Sequence, residues 1–307
     1  MGVRADPETE LGVAGPAEAK LDICIVSWRT RDLLRTCLGS VVGRSAAGEV
    51  VVVDNDSRDG TAEMIRVEFP GVRLIANDRN AGFAAGSNQA LEATRGPFVL
   101  LLNPDTEVQE GALEALLEAL AEDERMGAVA AQLVLPDGSI QPSCRSFPEP
   151  AALLFEATRL AALSPRSQVL GRYRMTYWDH DSRREVDQPM ASALALRRAA
   201  LDEVGLFDEQ FPLYFNDVDL CFRLRQAGWT IVFEPRAKVI HYYGQSSTWQ
   251  VRPPAILESH RSLMRFYRKH YRGRMCSCTY AAVVGAAWLT MWPRAAAAWL
   301  AAKLRPG

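Results

Sequence analysis

Carboxylate side chains are concentrated directly after the apolar run Val50–Val53, where the chain reads DNDSRDGT. Asp54 and Asp56 could accept hydrogen bonds from the N–H and hydroxyl groups of a base or a ribose. Carboxylates repel phosphate, so this segment is not expected to hold a phosphate group. A purely structural role is also open, because Asp59 or Thr61 could cap the next helix while the rest forms a turn.

A second polar segment, NPDT, follows the apolar run Pro97–Leu102. Asn103 and Asp105 offer an amide oxygen and a carboxylate, which suit a hard cation such as Mg²⁺ that takes one or two carboxylates plus substrate phosphates. By itself the segment also fits an ordinary Asn-Pro-Asp turn. His241 ends a late apolar run, and a lone histidine is more often a core or surface group than a metal ligand.

Glycines and amides mark the loop that reads NDRNAGFAAGSN. Gly82 and Gly86 let backbone approach a ligand, and a helix that begins here would favour an anion at its N-terminus. Arg79 could add a phosphate contact, and Asn80 and Asn88 lie on either side of the two glycines. Helix packing also explains many G-x-x-x-G patterns, so the motif alone is weak.

Acids lie among large apolar residues in the segment FPLYFNDVDLCFR. Asp217 in such surroundings is what a general base requires, and Asp219 could pair with Arg223 one helical turn later. The alternative is a helix start, where acids favour the positive end of the dipole. That alternative explains Asp219 well and Asp217 less well.

These residues are separated by alternating strand and helix patterns. The apolar runs predict strands at 21–27, 50–53, 72–76, 97–102, 128–135, 192–197, 229–233 and 237–241. Helical spacing is found at 30–42, 61–69, 84–94, 111–121 and, within a long irregular stretch, 151–163. Strands that are apolar on both faces and separated by helices indicate an α/β fold with a mostly parallel sheet covered on both sides. Ligands of such sheets bind beyond the carboxyl ends of the strands, where the polar segments fall.

Composition excludes several protein classes. The 307 residues are 48% hydrophobic and 23% charged with a net charge of −2, which is ordinary for a globular protein and argues against a nucleic-acid binder. The six cysteines include no C-x-x-C pair, so buried or free thiols are expected. Neither G-x-G-x-x-G nor a P-loop motif occurs, and Ser27 begins the segment SWRT where a nucleotide-binding glycine loop would stand.

The C-terminal part has a distinct composition. Residues 251–307 contain ten basic residues and one acid, Glu258, and residues 256–271 have the spacing of a basic amphipathic helix. Residues 275–293 carry no charge but are rich in small side chains. We interpret the segment as an interfacial helix pair at an anionic membrane; a helix packed on the body, or a true span, is the alternative. Residues 1–20 resemble a disordered arm, residues 21–250 the main domain and residues 251–307 a helical tail.

Six strings taken together resemble the inverting family 2 glycosyltransferases of the GT-A fold, with the rhamnosyltransferases of bacterial cell-surface polysaccharides as the most similar subgroup. They are IVSWRTRDLLRTCLGS, VVVDNDSRDGT, NAGFAAGSNQA, LLNPDT, VGLFDEQFPLYFNDVDLCFRLRQAGW and PRAKVIHYYGQSS. They occur in family order over residues 22–247, about three-quarters of the chain. The resemblance implies a Rossmann-like sheet that binds a nucleotide-diphosphate sugar.

The resemblance also implies roles. Asp217 would be the base, and Asp105 with His241 would hold Mg²⁺ or Mn²⁺ on the diphosphate. The remaining donor-binding candidates are Ser27, Asp54, Asp56, Arg79, Asn80, Gly82, Gly86, Asn88 and Asn103. The substrates would be a dTDP- or UDP-sugar, with dTDP-rhamnose as the first candidate, and a lipid-linked or polysaccharide acceptor. The enzyme would then be cytoplasmic and peripheral on the inner face of the membrane.

Two positions depart from the family pattern. Asn103 replaces the first acid of the D-x-D signature, as is usual in the subgroup, and Asn216 replaces the usual Glu before the base. They leave open a non-catalytic nucleotide-sugar-binding or assembly subunit. A nucleotidyltransferase on a related fold is a further alternative, which lacks support from the SWRT segment.

Overall fold

The computed structural model describes residues 19–158, 160–164, 166–242, 253–286, 288–289 and 299. The predicted N-terminal arm and the end of the predicted tail lie almost wholly outside these ranges. In chain order the strands are β1 (Leu21–Ser27), β2 (Ala47–Asp54), β3 (Arg73–Ala76), β4 (Phe98–Leu102), β5 (Thr106–Val108), β6 (Met126–Val134), β7 (Cys144–Arg145), β8 (Arg184–Glu185), β9 (Gln188–Pro189), β10 (Ala193–Arg197) and β11 (Thr230–His241). The helices are α1 (Arg31–Val41), α2 (Thr61–Glu68), α3 (Phe83–Ala93), α4 (Ala112–Glu122), α5 (Pro150–Ala157), α6 (Leu160–Leu163), α7 (Arg198–Val204), α8 (Asn216–Gln226) and α9 (Pro253–His270).

One large sheet organises the described residues. Its order is β3-β2-β1-β4-β10-β6-β11-β5, with β8 beside β11. β3, β2, β1 and β4 run parallel, as do β6 and β11, and β10 lies antiparallel between the two groups. The predicted α/β fold with a mostly parallel sheet is therefore confirmed. Because β10 is reversed, its first residue lies at the same edge as the carboxyl ends of β1, β2, β4, β6 and β11.

Apolar side chains fill both faces of this sheet. On one face α1, α2 and α4 pack through residues such as Leu34, Ile65 and Leu116. On the other face α3, α7 and α8 pack through residues such as Leu91 and Leu220. Burial on both faces accounts for the continuous apolar runs of the strands, and it leaves only the strand ends to carry polar groups.

The late strands differ from the prediction. The two predicted runs are one strand, β11, whose pairing with β6 shifts register between Glu234 and Lys238. Pro235 lies in this interval, and proline has no N–H to donate to a neighbouring strand. The short β5 was not predicted; it pairs antiparallel with the end of β11 and brings Thr106 opposite His241.

The first helix of the predicted tail, α9, packs on the body. Phe266 and Tyr267 are fully buried against Phe211, Val218 and Phe222. The amphipathic helix is therefore confirmed, but its most buried side chains meet the protein and not a membrane. Within the described residues, no helix combines the length and apolar character needed to cross a bilayer.

The cysteines follow the prediction of buried or free thiols. Cys24, Cys37, Cys144 and Cys221 are buried and form no disulfide, whereas Cys276 and Cys278 are exposed. Burial raises the pKa of the Cys24 and Cys37 thiols to about 12, so these groups stay protonated and act as small apolar side chains.

Candidate active site at the carboxyl edge of the sheet

The ends of β1 and β2 form the first part of a polar edge. Ser27 and Asp54 are register partners, and the Asn55 N–H donates to the Ser27 carbonyl at 2.9 Å. The backbone turns sharply after each strand, with left-handed φ values of 56° at Arg29 and 58° at Asp56. Such conformations cost about 1 kcal/mol or more outside glycine and concentrate at functional sites.

Asp54 and Asp56 have different surroundings. Asp54 is buried, and its Oδ1 accepts from the Ser57 N–H at 3.3 Å. Burial raises the pKa of Asp54, with the bonds from Ser57 partly offsetting the effect. Asp56 is partly exposed and pairs with Arg58 at 2.8 Å. Asp59 accepts from the N–H and hydroxyl of Thr61, the first residue of α2, and so shapes the turn before the helix. The N-cap itself is Gly60 and has no side-chain cap bond, so the predicted capping by Asp59 or Thr61 is wrong.

The buried amide of Asn55 connects this loop to the next one, a role that the sequence did not single out. Its Nδ2 donates to the Gly82 carbonyl at 3.1 Å, and its Oδ1 accepts from Asn77 at 2.8 Å. The sequence signal that could have identified Asn55 is its position between two carboxylates in DNDS. A buried amide at the end of a strand needs hydrogen-bond partners, and a neighbouring loop can supply them.

The start of α3 is closed by the chain from the other half of the protein. The Pro212 carbonyl accepts from the N–H groups of Phe83 and Ala84, at 2.9 and 3.4 Å. These donors would otherwise be available to an anion, so the simple expectation of a phosphate at this helix start is not supported. Gly82 has φ +86°, and a Cβ there would lie 3.1 Å from the Pro212 carbonyl oxygen.

Gly86 has a packing role. A Cβ at this position would lie 2.8 Å from Cγ1 of Val26, so glycine allows α3 to approach β1 closely. The packing explanation weighed for the G-x-x-x-G pattern therefore accounts for its second glycine.

Arg79, Asn80 and Asn88 line one open cavity of about 500 Å³ together with Glu209. Asn80 accepts from the Gly82 N–H at 2.9 Å and so shapes its own turn. Asn88 exchanges hydrogen bonds with the Phe207 backbone, at 2.9 and 3.0 Å, and donates to Glu209. The Asn88 amide thus holds the 207–209 segment, and its contact with a donor stays a prediction, as do those of Arg79 and Asn80.

Asp105 and His241 face each other at the ends of β4 and β11. His241 Nε2 lies 3.4 Å from Asp105 Oδ1, and both side chains are buried. The other ring nitrogen, Nδ1, lies 2.7 Å from Gln141 Oε1. With Nδ1–H donating to this amide oxygen, the Nε2 lone pair faces the carboxylate, which is the tautomer that a cation bound by both groups requires. No group of three His, Cys, Asp or Glu side chains suited to a metal occurs among the described residues.

Asp217 lies in the first turn of α8. Its carboxylate accepts from the N–H groups of Val218 and Ala191. Burial raises the pKa of Asp217, while these backbone bonds and the charge of Arg145 partly offset the rise. A carboxylate with a raised pKa is a stronger base, which suits proton abstraction near neutral pH.

Asn216 is buried and closes the turn before α8. Its Nδ2 donates to the carbonyls of Leu213 and Phe211, at 2.9 and 3.4 Å, and its Oδ1 accepts from the Asp217 N–H at 2.7 Å. An ionised glutamate has no N–H to donate to those carbonyls. The amide that departs from the family pattern therefore has a defined role in positioning Asp217.

A short backbone path joins Asp217 to Asp105. Ala191, whose N–H binds Asp217, is followed by Ser192. Ser192 is bonded to Asn103 twice: its carbonyl accepts from the Asn103 N–H at 2.9 Å, and its hydroxyl accepts from Nδ2 at 3.0 Å. Asn103 precedes Asp105 by two residues. The candidate base and the candidate metal ligands thus lie along one edge of the sheet.

The second acid of α8 anchors the helix. Asp219 accepts from Arg223 Nε at 2.8 Å, which confirms the predicted pair. It also binds Lys269 and His270 of α9, each at 2.7 Å. The sequence did not reveal this second connection, because the partners are about fifty residues away. Burial alone would raise the pKa of Asp219, but the bonds from His270 and Lys269 outweigh it and hold the pKa at about 2.

Comparison with known sequences points to one family. The family model described as Glycosyl transferase family 2 matches residues 22–143. The N-acetylglucosaminyl-diphospho-decaprenol L-rhamnosyltransferase of Mycobacterium tuberculosis is 32% identical over 237 residues, which cover 73% of this chain and 76% of that protein. The O-antigen biosynthesis protein RfbC of Myxococcus xanthus is 26% identical over 75% of this chain, but over only 18% of its own length.

Solved structures support the fold. A mannosyltransferase from Pyrobaculum calidifontis, in complex with GDP-Man and Mn²⁺, superposes with a TM-score of 0.56 at 19% identity and covers 95% of this chain and 77% of its own. GalNAc-T7 with UDP, GalNAc and Mn²⁺ also has a TM-score of 0.56, at 16% identity, over 80% of this chain and 47% of its own. At these identities the likeness concerns the fold, and it confirms the GT-A architecture.

Proposed function

Because this chain belongs to glycosyltransferase family 2, we propose that it transfers a deoxyhexose from a nucleoside-diphosphate donor to a hydroxyl of a lipid-linked sugar. Rhamnose from dTDP-rhamnose is the first candidate donor, with a UDP-sugar as the alternative. The rhamnosyltransferase name of the 32% identical relative supports this choice. The observation that carries the proposal is the path from Asp217 through Ala191 and Ser192 to Asn103, which joins candidate base and candidate metal ligands.

Asp217 is the proposed base. Its carboxylate takes the proton of the acceptor hydroxyl while that oxygen forms a bond to the anomeric carbon of the donor sugar. The bond from the anomeric carbon to the diphosphate breaks in the same step, and the nucleoside diphosphate leaves with the electron pair. A single in-line displacement inverts the anomeric configuration and needs one enzymic carboxylate. The Val218 and Ala191 N–H groups fix the direction of that carboxylate.

Asp105 and His241 are the proposed ligands of a divalent cation. The residues fit such an ion, because a carboxylate oxygen and a ring nitrogen lie 3.4 Å apart, and Gln141 Oε1 is placed to accept from the other ring nitrogen. When bound, Mg²⁺ or Mn²⁺ neutralises charge on the leaving diphosphate. Two protein ligands are few, and the donor phosphates would supply further oxygens.

Mn²⁺ binding tests this assignment directly. We expect His241→Ala to weaken Mn²⁺ binding at least tenfold, measured by electron paramagnetic resonance in the presence of a nucleoside diphosphate. Because Gln141 only orients the ring, Gln141→Ala should weaken binding less. Equal affinity of wild type and His241→Ala would remove His241 from the metal site.

The nucleoside is assigned to the edge formed by Ser27, Asp54 and Asp56, and the donor sugar and diphosphate to the loop 79–88 with Asn103. Asp54 and Asp56 suit base and ribose, since both present oxygens that accept from N–H or hydroxyl groups. The Pro212 carbonyl accepts from the first N–H groups of α3, so these backbone donors are not available to bind the diphosphate. Side chains of the loop would therefore carry more of the donor contact than the helix start.

Peripheral contact with the inner face of the cell membrane is the final part of the proposal. Trp288 and Leu289 are 46% and 78% exposed, which supports an apolar contact beyond α9. Deleting the whole tail is a poor test, because α9 fills the core around Phe266. Replacing Trp288 and Leu289 by serine should instead move the protein from pellet to supernatant with anionic phosphatidylglycerol vesicles. Val67→Ser, at an exposed apolar position of α2, is the control; identical sedimentation of all three proteins would contradict membrane contact.

The decisive experiment for the activity is release of nucleoside diphosphate from a donor panel. A short-chain polyprenyl-diphosphate N-acetylglucosamine serves as acceptor, with Mn²⁺ present. We expect one donor to be turned over by wild type and by Asp202→Asn, whose exposed acid lies on α7, and turnover to fall at least a thousandfold in Asp217→Asn. Equal turnover by Asp217→Asn would refute the base. Donor binding in a calorimeter without turnover of any acceptor would favour the non-catalytic alternative.

A further inference from the structure

An arginine from the long segment between β6 and β10 lies beside the proposed base. β7 pairs antiparallel with β9, so that Arg145 is the register partner of Gln188. The pairing continues through a bond from the Met190 N–H to the Ser143 carbonyl at 2.9 Å. The residue after Met190 is Ala191, whose N–H binds Asp217. Arg145 is therefore held one strand away from the segment whose Ala191 N–H binds the proposed base.

The Arg145 guanidinium has an aromatic neighbour. It lies 5.8 Å from the centre of the Tyr173 ring, and the Ser146 N–H donates to the Tyr173 carbonyl at 3.0 Å. The side chain is half-buried. Contact with a ring face orients the planar guanidinium and leaves its edge N–H groups directed away from the ring.

Arg145 differs from neighbouring arginines in its charge partners. Arg172 pairs with Glu149 at 3.2 Å, and Arg174 pairs with Glu156 at 2.6 Å. Over the described ranges of the chain, no carboxylate lies within ion-pair distance of Arg145, and no hydrogen bond from its guanidinium is found. A half-buried cation without a fixed counter-charge loses hydration, and binding an anion compensates for that loss.

We propose that Arg145 binds a phosphate of the lipid-linked acceptor. The inference rests on the proposed function. The group closest to Asp217 during transfer is the acceptor hydroxyl, so a cation held beside Asp217 but outside the large sheet lies where the rest of the acceptor must extend. The proposed donor contacts come from residues 27–103, at the strand ends and following loops of the large sheet and in α3. Arginine suits this task because its fork can donate two bonds to one phosphate.

The test compares acceptors with and without phosphate. The first is a short-chain polyprenyl-diphosphate N-acetylglucosamine, and the second is an alkyl glycoside of N-acetylglucosamine. For Arg145→Ala we expect KM for the diphosphate acceptor to rise about 10- to 100-fold. The KM for the alkyl glycoside and for the donor should stay within twofold of wild type. Arg145→Lys should recover part of the loss by restoring the charge without the fork.

Arg172→Ala is the matched control, since it removes a nearby arginine that already has a partner. An equal rise in KM for both acceptors would overturn the proposal, as would no rise for either. A rise in donor KM alone would assign Arg145 to the donor diphosphate and would also overturn it.

Direct binding separates this inference from the proposed activity. Calorimetric titration of the diphosphate acceptor into the full chain, without donor, should show the same 10- to 100-fold loss in Arg145→Ala. If no donor is turned over but this loss is found, the transferase assignment fails while the anion site stands. If turnover is found but wild type and Arg145→Ala bind the acceptor equally, the anion site fails. Since the Arg145 guanidinium makes no hydrogen bond or ion pair with a described group and contacts the Tyr173 ring, its replacement should lower the thermal midpoint by a few degrees at most, and that measurement checks folding.

Discussion

Two aspartates in the first turn of α8 should respond in opposite ways to the same substitution. Asp219 is fully buried among Arg223, Lys269 and His270, and its pKa is held at about 2 compared with the ordinary value of 3.8. That difference corresponds to about 2.5 kcal/mol of folding free energy from the ionised form. Asp219→Asn keeps the shape and removes the charge. It should therefore lower the free energy of unfolding by about 2–3 kcal/mol at pH 7.

The pH dependence follows from the direction of the shift. A carboxyl whose pKa is lower in the folded protein stabilises the fold above its unfolded pKa, and this contribution is lost as pH falls through the folded pKa. The difference in the free energy of unfolding between wild type and Asp219→Asn should thus have its full value at pH 7. By pH 3 it should be close to half that value, because the contribution is lost over about the pH range 4 to 2. Asp217 is the opposite case: burial raises its pKa, so its charge disfavours folding at pH 7. Asp217→Asn should leave stability equal or higher while it removes turnover.

Urea unfolding followed by tryptophan fluorescence measures both variants at pH 7 and pH 3, with nucleoside diphosphate release measured in parallel. Loss of stability in Asp217→Asn together with an unchanged midpoint in Asp219→Asn would refute the electrostatic reasoning. A gap for Asp219→Asn that persists undiminished at pH 3 would show that its effect is steric, not ionic.

Three further outcomes are expected. Gly86→Ala should destabilise the fold by about 1–2 kcal/mol in urea unfolding, because its Cβ meets Val26 at 2.8 Å and the helix propensity of alanine offsets only part of the cost; a more stable variant would contradict that packing. Asn216→Asp should lower the unfolding free energy by about 2 kcal/mol and turnover together, since a carboxylate cannot donate to the carbonyls of the turn; Asn216→Gln should recover less than half. Hydrogen bonds from Cys278 and then from Thr279 lower the pKa of the Cys276 thiol to about 7. Iodoacetamide at pH 7 should therefore label Cys276 before any buried cysteine, and peptide mass spectrometry measures the order of labelling.

Much of the fold could be predicted because the relevant signals are local. Apolar runs of strand length, helical spacing between them and turn residues at their ends placed most elements within a few residues of their observed bounds. Burial of the sheet on both faces forces polar groups to the strand ends, which is why Asp54, Asp105 and His241 could be selected from residue order alone. The strand predictions that were wrong also have local causes. The strand β5 was missed because it is only three residues long. The strand β11 was predicted as two strands because Pro235 interrupts its pattern, but it continues past Pro235 because β6 pairs with both of its halves.

The sequence by itself determined which chemistry is available at the sheet edge: carboxylates, one histidine, amides and glycines after particular strands. Only the tertiary structure decided which of these side chains are engaged in holding the fold. The Pro212 carbonyl closes the start of α3, the Phe207 backbone engages Asn88, and α9 anchors Asp219. Each of these contacts joins segments fifty or more residues apart, and their formation depends on how helices pack across the sheet. Residue order encodes periodicity and propensity directly, whereas the partner of a buried polar group is set by the whole packed chain.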